Sequence, residues 1–289
     1  LSESIKQGEV FSHSRLQYYR DCPLSYKYRY IHRLEIIDEI EEQHHASFGS
    51  AIHSGLEAYY KGGLWADIEK AFKEAYPNQL DTSDFAKTQD NGLKLLSEYI
   101  KRYQVEDSNW KTVATEVLEE FELLGHKFVA KLDLVVENKK YGGVYGVDHK
   151  TTSKNLSYRY FNQFEISSQI DLYTLYLEQK YGECGGMYIN AMSFGFRKRK
   201  YKDEPAGFHW KFDRQLFNRT RGQLEAERVD LGNWIGKLKV AQETGTFERN
   251  TSKCGYCQYA PICRSGWTMK EDKELIMLQY RERQDAKSR

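Results

Sequence analysis

The chain has 289 residues, 40% of them hydrophobic and 14% aromatic, with a formal net charge of +1 and only four prolines. This supplies enough apolar material for one large or two small packed domains, and it excludes wholesale disorder and long structureless linkers. The charge gives no global field for nucleic acid, no run approaches the roughly 18 apolar residues of a membrane helix, and the opening LSESIKQGEV is too polar for a secretory signal. A cytoplasmic location is the default expectation.

The first hundred residues read as helical. A helix over 14–33, capped by Ser14, carries Tyr18, Tyr19, Tyr26 and Tyr30 near helical spacing. Further helices are expected over 48–61, 65–75 and 85–103. Near Trp110 the pattern changes. Residues 112–122 and 126–136 are rich in Val, Phe and Leu with partial alternation, and Leu124-Gly125 between them marks a turn. A strand over 143–150 completes a meander. A helix over 164–181, a strand over 186–194, a short strand over 208–212 and a long polar helix over 214–243 follow. The tail from Met269 alternates charges and reads as an exposed helix. Helices, then a meander, then helix and strand describe an α/β core with helical decoration.

Cys254, Cys257 and Cys263 form C-x2-C-x5-C in a segment with Gly255, Pro261 and Gly266 that reads as a short loop. Three thiols so close can converge on one metal centre, and Cys22 is the natural fourth ligand because Cys184 falls in an apparent strand region. Ordinary buried thiols are the bland alternative. Zinc and an iron–sulfur cluster both suit four thiolates; the remote fourth ligand favours the cluster.

The sharpest chemical signal is acidic. Asp133 lies in the apolar run Lys131–Val136, and Asp148 precedes His149-Lys150-Thr151 at the end of another. Two adjacent antiparallel strands would bring the carboxylates to one end of a sheet, with Asp148 and Lys150 on the same face. Carboxylates are hard ligands for Mg²⁺ or Mn²⁺, and an ammonium beside them can position water and stabilise charge on a phosphate. A solvated D-x-K pair is the plain alternative. Gly49-x3-His53 adds a helical histidine as a candidate ligand. Gln169 and Tyr173, at i and i+4, share a helical face from which they can hydrogen-bond a phosphate or orient Lys150. Arg197, Lys198, Arg199, Lys200 and Lys202 form the strongest basic run, a candidate phosphate-tracking loop with Phe194, Phe196 and Tyr201 as stacking partners for bases, or else a solvated hairpin tip.

In this order the motifs resemble the PD-(D/E)XK nuclease superfamily, in its RecB-type branch with an iron–sulfur cluster, which includes AddB-type nuclease domains and CRISPR-associated adaptation exonucleases. The resembling set is Ser14-Arg15-Leu16, Tyr19 and Cys22-Pro23; Gly49 and His53; Asp133; Asp148-His149-Lys150; Gln169 and Tyr173; and Cys254, Cys257 and Cys263, over residues 11–266. The resemblance implies a restriction-endonuclease-like central mixed β-sheet flanked by helices. It divides one integrated domain into a helical region over 1–110 with the first cluster cysteine and G-x3-H, a nuclease core over 111–213, and a C-terminal helix and cysteine segment over 214–289. It implies that His53, Asp133, Asp148 and the backbone carbonyl of His149 bind Mg²⁺ or Mn²⁺, that Lys150 positions or activates water, and that Cys22, Cys254, Cys257 and Cys263 bind a [4Fe–4S] cluster. Glu116 falls where relatives often carry another acidic residue, in competition with Glu119, Glu120 and Glu122.

The activity so implied is an exonuclease preferring single-stranded DNA, in recombination, repair, phage DNA processing or CRISPR adaptation. The ATPase loop G-x4-G-K-[ST] is absent, so a helicase motor would come from a partner or another segment, and a recombination or CRISPR protein is the other partner expected. Two readings stand beside it: an iron–sulfur or zinc-stapled DNA-binding module with a vestigial site, and a zinc-stapled adaptor without a nucleic-acid role. The intact Asp133 and Asp148-x-Lys150 set speaks against the vestigial site.

Overall fold

The structure, a computed structural model, describes residues 9–37, 40–77, 86–197 and 207–283, without the side chains of 40–47 and Arg197. The helix expected over 14–33 is three pieces. After β1 (Val10–Phe11) come α1 (His13–Asp21), α2 (Pro23–Tyr26) and a π-helix (Lys27–Ile31). The cap is Ser12, not Ser14: its hydroxyl accepts from the Arg15 N–H at 3.1 Å. The break falls at Cys22, whose backbone is extended, because a residue before proline is driven out of the helical region while proline itself suits a first helical turn.

β2 (Leu34–Ile36) leads to α3 (Ile40–Tyr60), which begins earlier than expected, and α4 (Trp65–Ala75) matches its expected span. α5 (Gln89–Asp107) starts after a Thr88 cap and runs beyond Tyr103; the start expected at Phe85 lies outside the described residues. The meander is present as β3 (Trp110–Leu123), β4 (His126–Asn138) and β5 (Val144–Thr152). The helix expected over 164–181 is instead α6 (Tyr158–Asn162) and α7 (Ser168–Tyr181), the second ended by Gly182 at a φ of 87°. β6 (Gly186–Arg197) and β7 (Gly207–Phe217) are both longer than expected, and α8 is Arg221–Thr244. Residues 214–217 are thus strand, not helix: pairing with β6 continues to Met187↔Phe217 and overrides their polar character. Cys184 precedes β6 rather than lying within it. The C-terminal cysteine segment is not one loop but a 3-10 helix (Thr251–Tyr256) and α9 (Ala260–Ser265). α10 (Lys273–Met277) and β8 (Tyr280–Glu282) follow.

The chain divides into two compact units, residues 1–40, 122–128 and 226–289 in the first, and 41–121 and 129–225 in the second. In the first, β1 pairs in parallel with the start of β4 through Val10↔Lys127 and Phe11↔Phe128. β2 and β8 pair antiparallel, and Tyr28, Leu34, Tyr259, Ile262, Ile276 and Tyr280 form a core. The tail is therefore not an exposed helix: Ile276 and Tyr280 are buried, with the Tyr280 ring stacked on Tyr259.

The second unit holds a mixed sheet. β3 pairs with β4, β4 with β5 antiparallel, β5 with β6 parallel and β6 with β7 antiparallel. α7 packs on β5 and β6. Phe48, Ile52, Phe72, Leu95 and Leu96 of α3, α4 and α5 share a core with Leu134, Val147 and Met192 of the sheet. This is an α/β architecture with helices flanking a central mixed sheet, as the sequence leads one to expect. No described helix is long and apolar enough to cross a membrane.

One helix contact here is tight enough to test. A Cβ placed on Gly92 of α5 would lie 2.1 Å from Cζ of the buried Phe72. Alanine gains about 1 kcal/mol of helix propensity over glycine, while overpacking a filled core costs about 1–3 kcal/mol. Gly92→Ala is expected to lower stability by about 1 kcal/mol in urea denaturation; a stabilised variant would show that α4 and α5 separate freely.

Candidate active site

The site of the second unit forms where α3 approaches the sheet. Gly49 makes the approach possible: a Cβ there would lie 3.1 Å from Thr151 Oγ1 on β5. One helical turn later, His53 Nδ1 is 3.2 Å from Asp133 Oδ1 on β4. The antiparallel register sets Leu134 opposite Val147, so Asp133 and Asp148 follow on neighbouring strands. The other oxygen of Asp133 accepts from the His149 backbone N–H at 2.7 Å, and Lys150 Nζ is 2.7 Å from Asp148 Oδ2. The hairpin geometry read from the sequence thus brings the two aspartates and the lysine together.

Glu116 joins them from β3. His53, Glu116 and Asp133 each offer a ligand atom, all within 4.8 Å of one another. Glu116 has a φ of 45°, a left-handed conformation that costs about 1–3 kcal/mol in a residue with a Cβ and is found concentrated at functional sites. Of its competitors, Glu119 is engaged elsewhere, paired with Lys180 and accepting from Tyr176 Oη at 2.8 Å. Glu120 and Glu122 are not members of the group around His53 and Asp133.

The charges are strongly coupled to their surroundings. Burial opposes ionisation of Asp133, yet the His53 hydrogen bond and charge and the His149 N–H hold its carboxyl well below the usual range. Burial pushes Asp148 up, Lys150 opposes this, and the Asp133 charge adds to it. Burial and Asp133 also raise Glu116. For Lys150, burial disfavours the ammonium, but Asp148 outweighs it and raises the pKa. Burial holds the His149 imidazole down at about 3. A nitrogen and several carboxylates at close quarters, with mutual repulsion that a cation would relieve, fit a hard divalent ion such as Mg²⁺ or Mn²⁺.

Gln169 and Tyr173 meet through Nε2 and Oη at 3.4 Å, and the Tyr173 hydroxyl lies within electrostatic reach of Asp148 and Lys150. Sequence reasoning missed Tyr160 of α6, which also feels Lys150 and Asp148, and Asn190, whose Nδ2 is 2.8 Å from His149 Nδ1. Neither belongs to a recognisable motif; Asn190 is brought to His149 by the pairing of parallel strands. Of the basic run, Arg197 closes β6, while Lys198, Arg199, Lys200 and Lys202 lie outside the described residues.

In the first unit, Cys22, Cys254, Cys257 and Cys263 line one cavity of about 500 Å³. The Asn250 N–H points to Cys22 Sγ at 3.4 Å. Burial raises Cys257 and Cys263, and the charges of the neighbouring cysteines raise them further. Four thiolates would therefore not gather here uncompensated, and the set fits a soft, cationic centre. Cys184 stands apart in the second unit, pushed up to about 11 by burial.

Comparison with curated proteins gave no match. Among solved structures, the crystal structure of SSO0001 is similar at 13% identity over 92% of this chain and 91% of that chain, with a TM-score of 0.37, a likeness that carries no argument. The family profile of the PD-(D/E)XK nuclease superfamily matches residues 10–264. The match takes in His53, Asp133, Asp148 and all four cysteines of the cavity, and the chain belongs to the PD-(D/E)XK nuclease superfamily.

Proposed function

We propose that the chain is a deoxyribonuclease that hydrolyses phosphodiester bonds with Mg²⁺ or Mn²⁺, acting as an exonuclease that prefers single-stranded DNA. The observation that carries this reading is the convergence of His53, Glu116 and Asp133 within 4.8 Å, beside the Asp148–Lys150 pair. His53, Asp133 and Asp148, with Glu116 and the His149 backbone carbonyl, hold the cation. When bound, such a cation polarises the phosphate, lowers the pKa of a bound water and offsets charge in the transition state. Lys150, anchored by Asp148, donates a hydrogen bond that positions the attacking water and stabilises negative charge on the phosphate oxygens. Gln169 and Tyr173 orient Lys150 or the phosphate from α7. The exonuclease activity and the RecB-like context, with a helicase, recombination or CRISPR partner, rest on the order of motifs, and the assignment of the basic run at Arg197 to phosphate tracking rests on its charge.

In the same reading, Cys22, Cys254, Cys257 and Cys263 hold a [4Fe–4S] cluster that ties the two ends of the chain together. The origin of one ligand, Cys22, far in sequence from the other three favours this over a single zinc. Iron content and absorbance at about 400 nm decide between them.

The test is cleavage of end-labelled single- and double-stranded DNA with Mn²⁺, with and without a chelator. Loss of label from single strands, abolished by chelation, is expected; no cleavage of either substrate would defeat the reading. The assignment of Glu116 has its own check. Glu116→Gln is expected to reduce cleavage about tenfold or more, as for other groups around a metal, whereas Glu119→Gln changes it less than about twofold. The reverse ranking in initial rates would hand the role to Glu119.

A further inference from the structure

Arg214 of β7 has a side chain only 2% exposed and is enclosed by polar partners and by the rings of Tyr103 and Trp110. A guanidinium has donors and no acceptor, so it fixes the direction of each hydrogen bond that follows. Its Nε donates to Asn190 Oδ1 at 3.4 Å. This turns the Asn190 amide nitrogen the other way, where it donates to Tyr99 Oη and, at 2.8 Å, to His149 Nδ1. Tyr99 Oη also accepts from Arg214 Nη2 at 2.9 Å. With both lone pairs occupied, its own proton goes to Tyr60 Oη at 2.7 Å. Tyr60 donates in turn to Asp107 Oδ2 at 2.9 Å, and Asp107 Oδ1 accepts from Arg214 Nη1 at 2.7 Å. The network closes on itself with each proton assigned. Arg214 Nη1 reaches Glu106 Oε1 as well, at 3.2 Å, and toward the acidic site the network ends on His149 Nδ1, which must accept.

The rest of the His149 ring is held as well. It lies flat on the Tyr60 ring, at 5.7 Å and 16°, and meets the His53 ring edge-on at 5.8 Å. Its backbone N–H carries Asp133, and its chain neighbours are Asp148 and Lys150. A ring fixed by these contacts anchors the residue that stands between Asp148 and Lys150 in the strand.

We propose that Arg214 and Asn190 are positioning residues: with Asp107, Tyr60 and Tyr99 they lock His149 as its Nε2–H tautomer and thereby fix the backbone that docks Asp133 in the metal site. The inference rests on the proposed function for the metal site, though not for the tautomer. Buried polar networks that are fully satisfied rigidify what they touch, and groups one step removed from a metal's ligands tune its binding.

The experiment uses the full chain, free of added divalent cation and labelled with ¹⁵N in histidine, with the His149 ring signals assigned by their loss in His149→Gln. Wild type is expected to show a protonated Nε2 and a bare Nδ1. Asn190→Asp sets an acceptor against Nδ1 and is expected to move the proton there, to weaken Mn²⁺ binding in calorimetry about tenfold, and to lower kcat with KM for DNA unchanged. Asn190→Ser, a milder change, is expected to leave both tautomers populated. A wild-type ring with its proton on Nδ1 overturns the proposal without any variant. So does an Asn190→Asp protein with wild-type Mn²⁺ affinity and kcat. Wild type that binds no Mn²⁺ would overturn the metal-site reading instead, and the tautomer would still be read.

Discussion

Lys150→Ala is expected to lower cleavage of single-stranded DNA by about 10²–10³-fold, the cost of removing one preorganised charge-stabilising donor. The loss should appear in kcat, because the ammonium acts on charge that develops in the transition state. The fold should survive. Removing one partner of a fully buried ion pair costs about 3–5 kcal/mol, but the Lys150 and Asp148 side chains retain 30% and 12% exposure. Asp148 can also take up a proton, since burial already raises it. Circular dichroism and melting temperature should therefore stay close to wild type. Full activity in Lys150→Ala would reject the active-site assignment.

The second large effect is expected in the first unit. If the four cysteines hold the proposed cluster, Cys257→Ala should lose its brown colour and iron and lower the melting temperature in the same protein. A link between Cys22 and Cys254 closes a loop spanning most of the chain. On the chain-entropy account such a link restricts the unfolded state by about 5 kcal/mol. That rivals the roughly 5–15 kcal/mol net stability of a whole domain, so the loss should be visible as a shift of many degrees. Cys184→Ser is the control: Cys184 lies outside the cavity, and its replacement should keep colour and iron. Colour lost with melting unchanged would mean that the centre does not staple the fold.

The acidic site was legible because it is local. Asp133, Asp148 and Lys150 belong to one hairpin, where a period of two and a short turn dictate which side chains meet. His53 was legible as a helical histidine one turn after Gly49, though only the 3.1 Å approach to Thr151 explains the glycine. Glu116 is named by the resemblance in competition with its neighbours; that it alone of them stands beside His53 and Asp133, on a left-handed backbone that no propensity foretells for glutamate, is visible only in the fold.

Other elements were decided by contacts remote in sequence. Pro23 carries a local signal for the break at Cys22, yet the tyrosine spacing across it imitates one helix. Arg214 reads as the start of a polar helix, but β6 captures it as strand, and only there can it reach Asp107, Tyr99 and Asn190. The tail reads as exposed for the same reason: Tyr280 is buried by β2 and Tyr259, residues that no short window contains.

The most direct test of the central claim is calorimetric titration of Mn²⁺ into the full chain without DNA, comparing wild type with Asp133→Asn. If the carboxylates and His53 form a cation site, wild type binds Mn²⁺ and the variant, which keeps the shape of the side chain but not its charge, binds at least about tenfold more weakly. Equal binding by the two proteins, or none by wild type, would contradict the account.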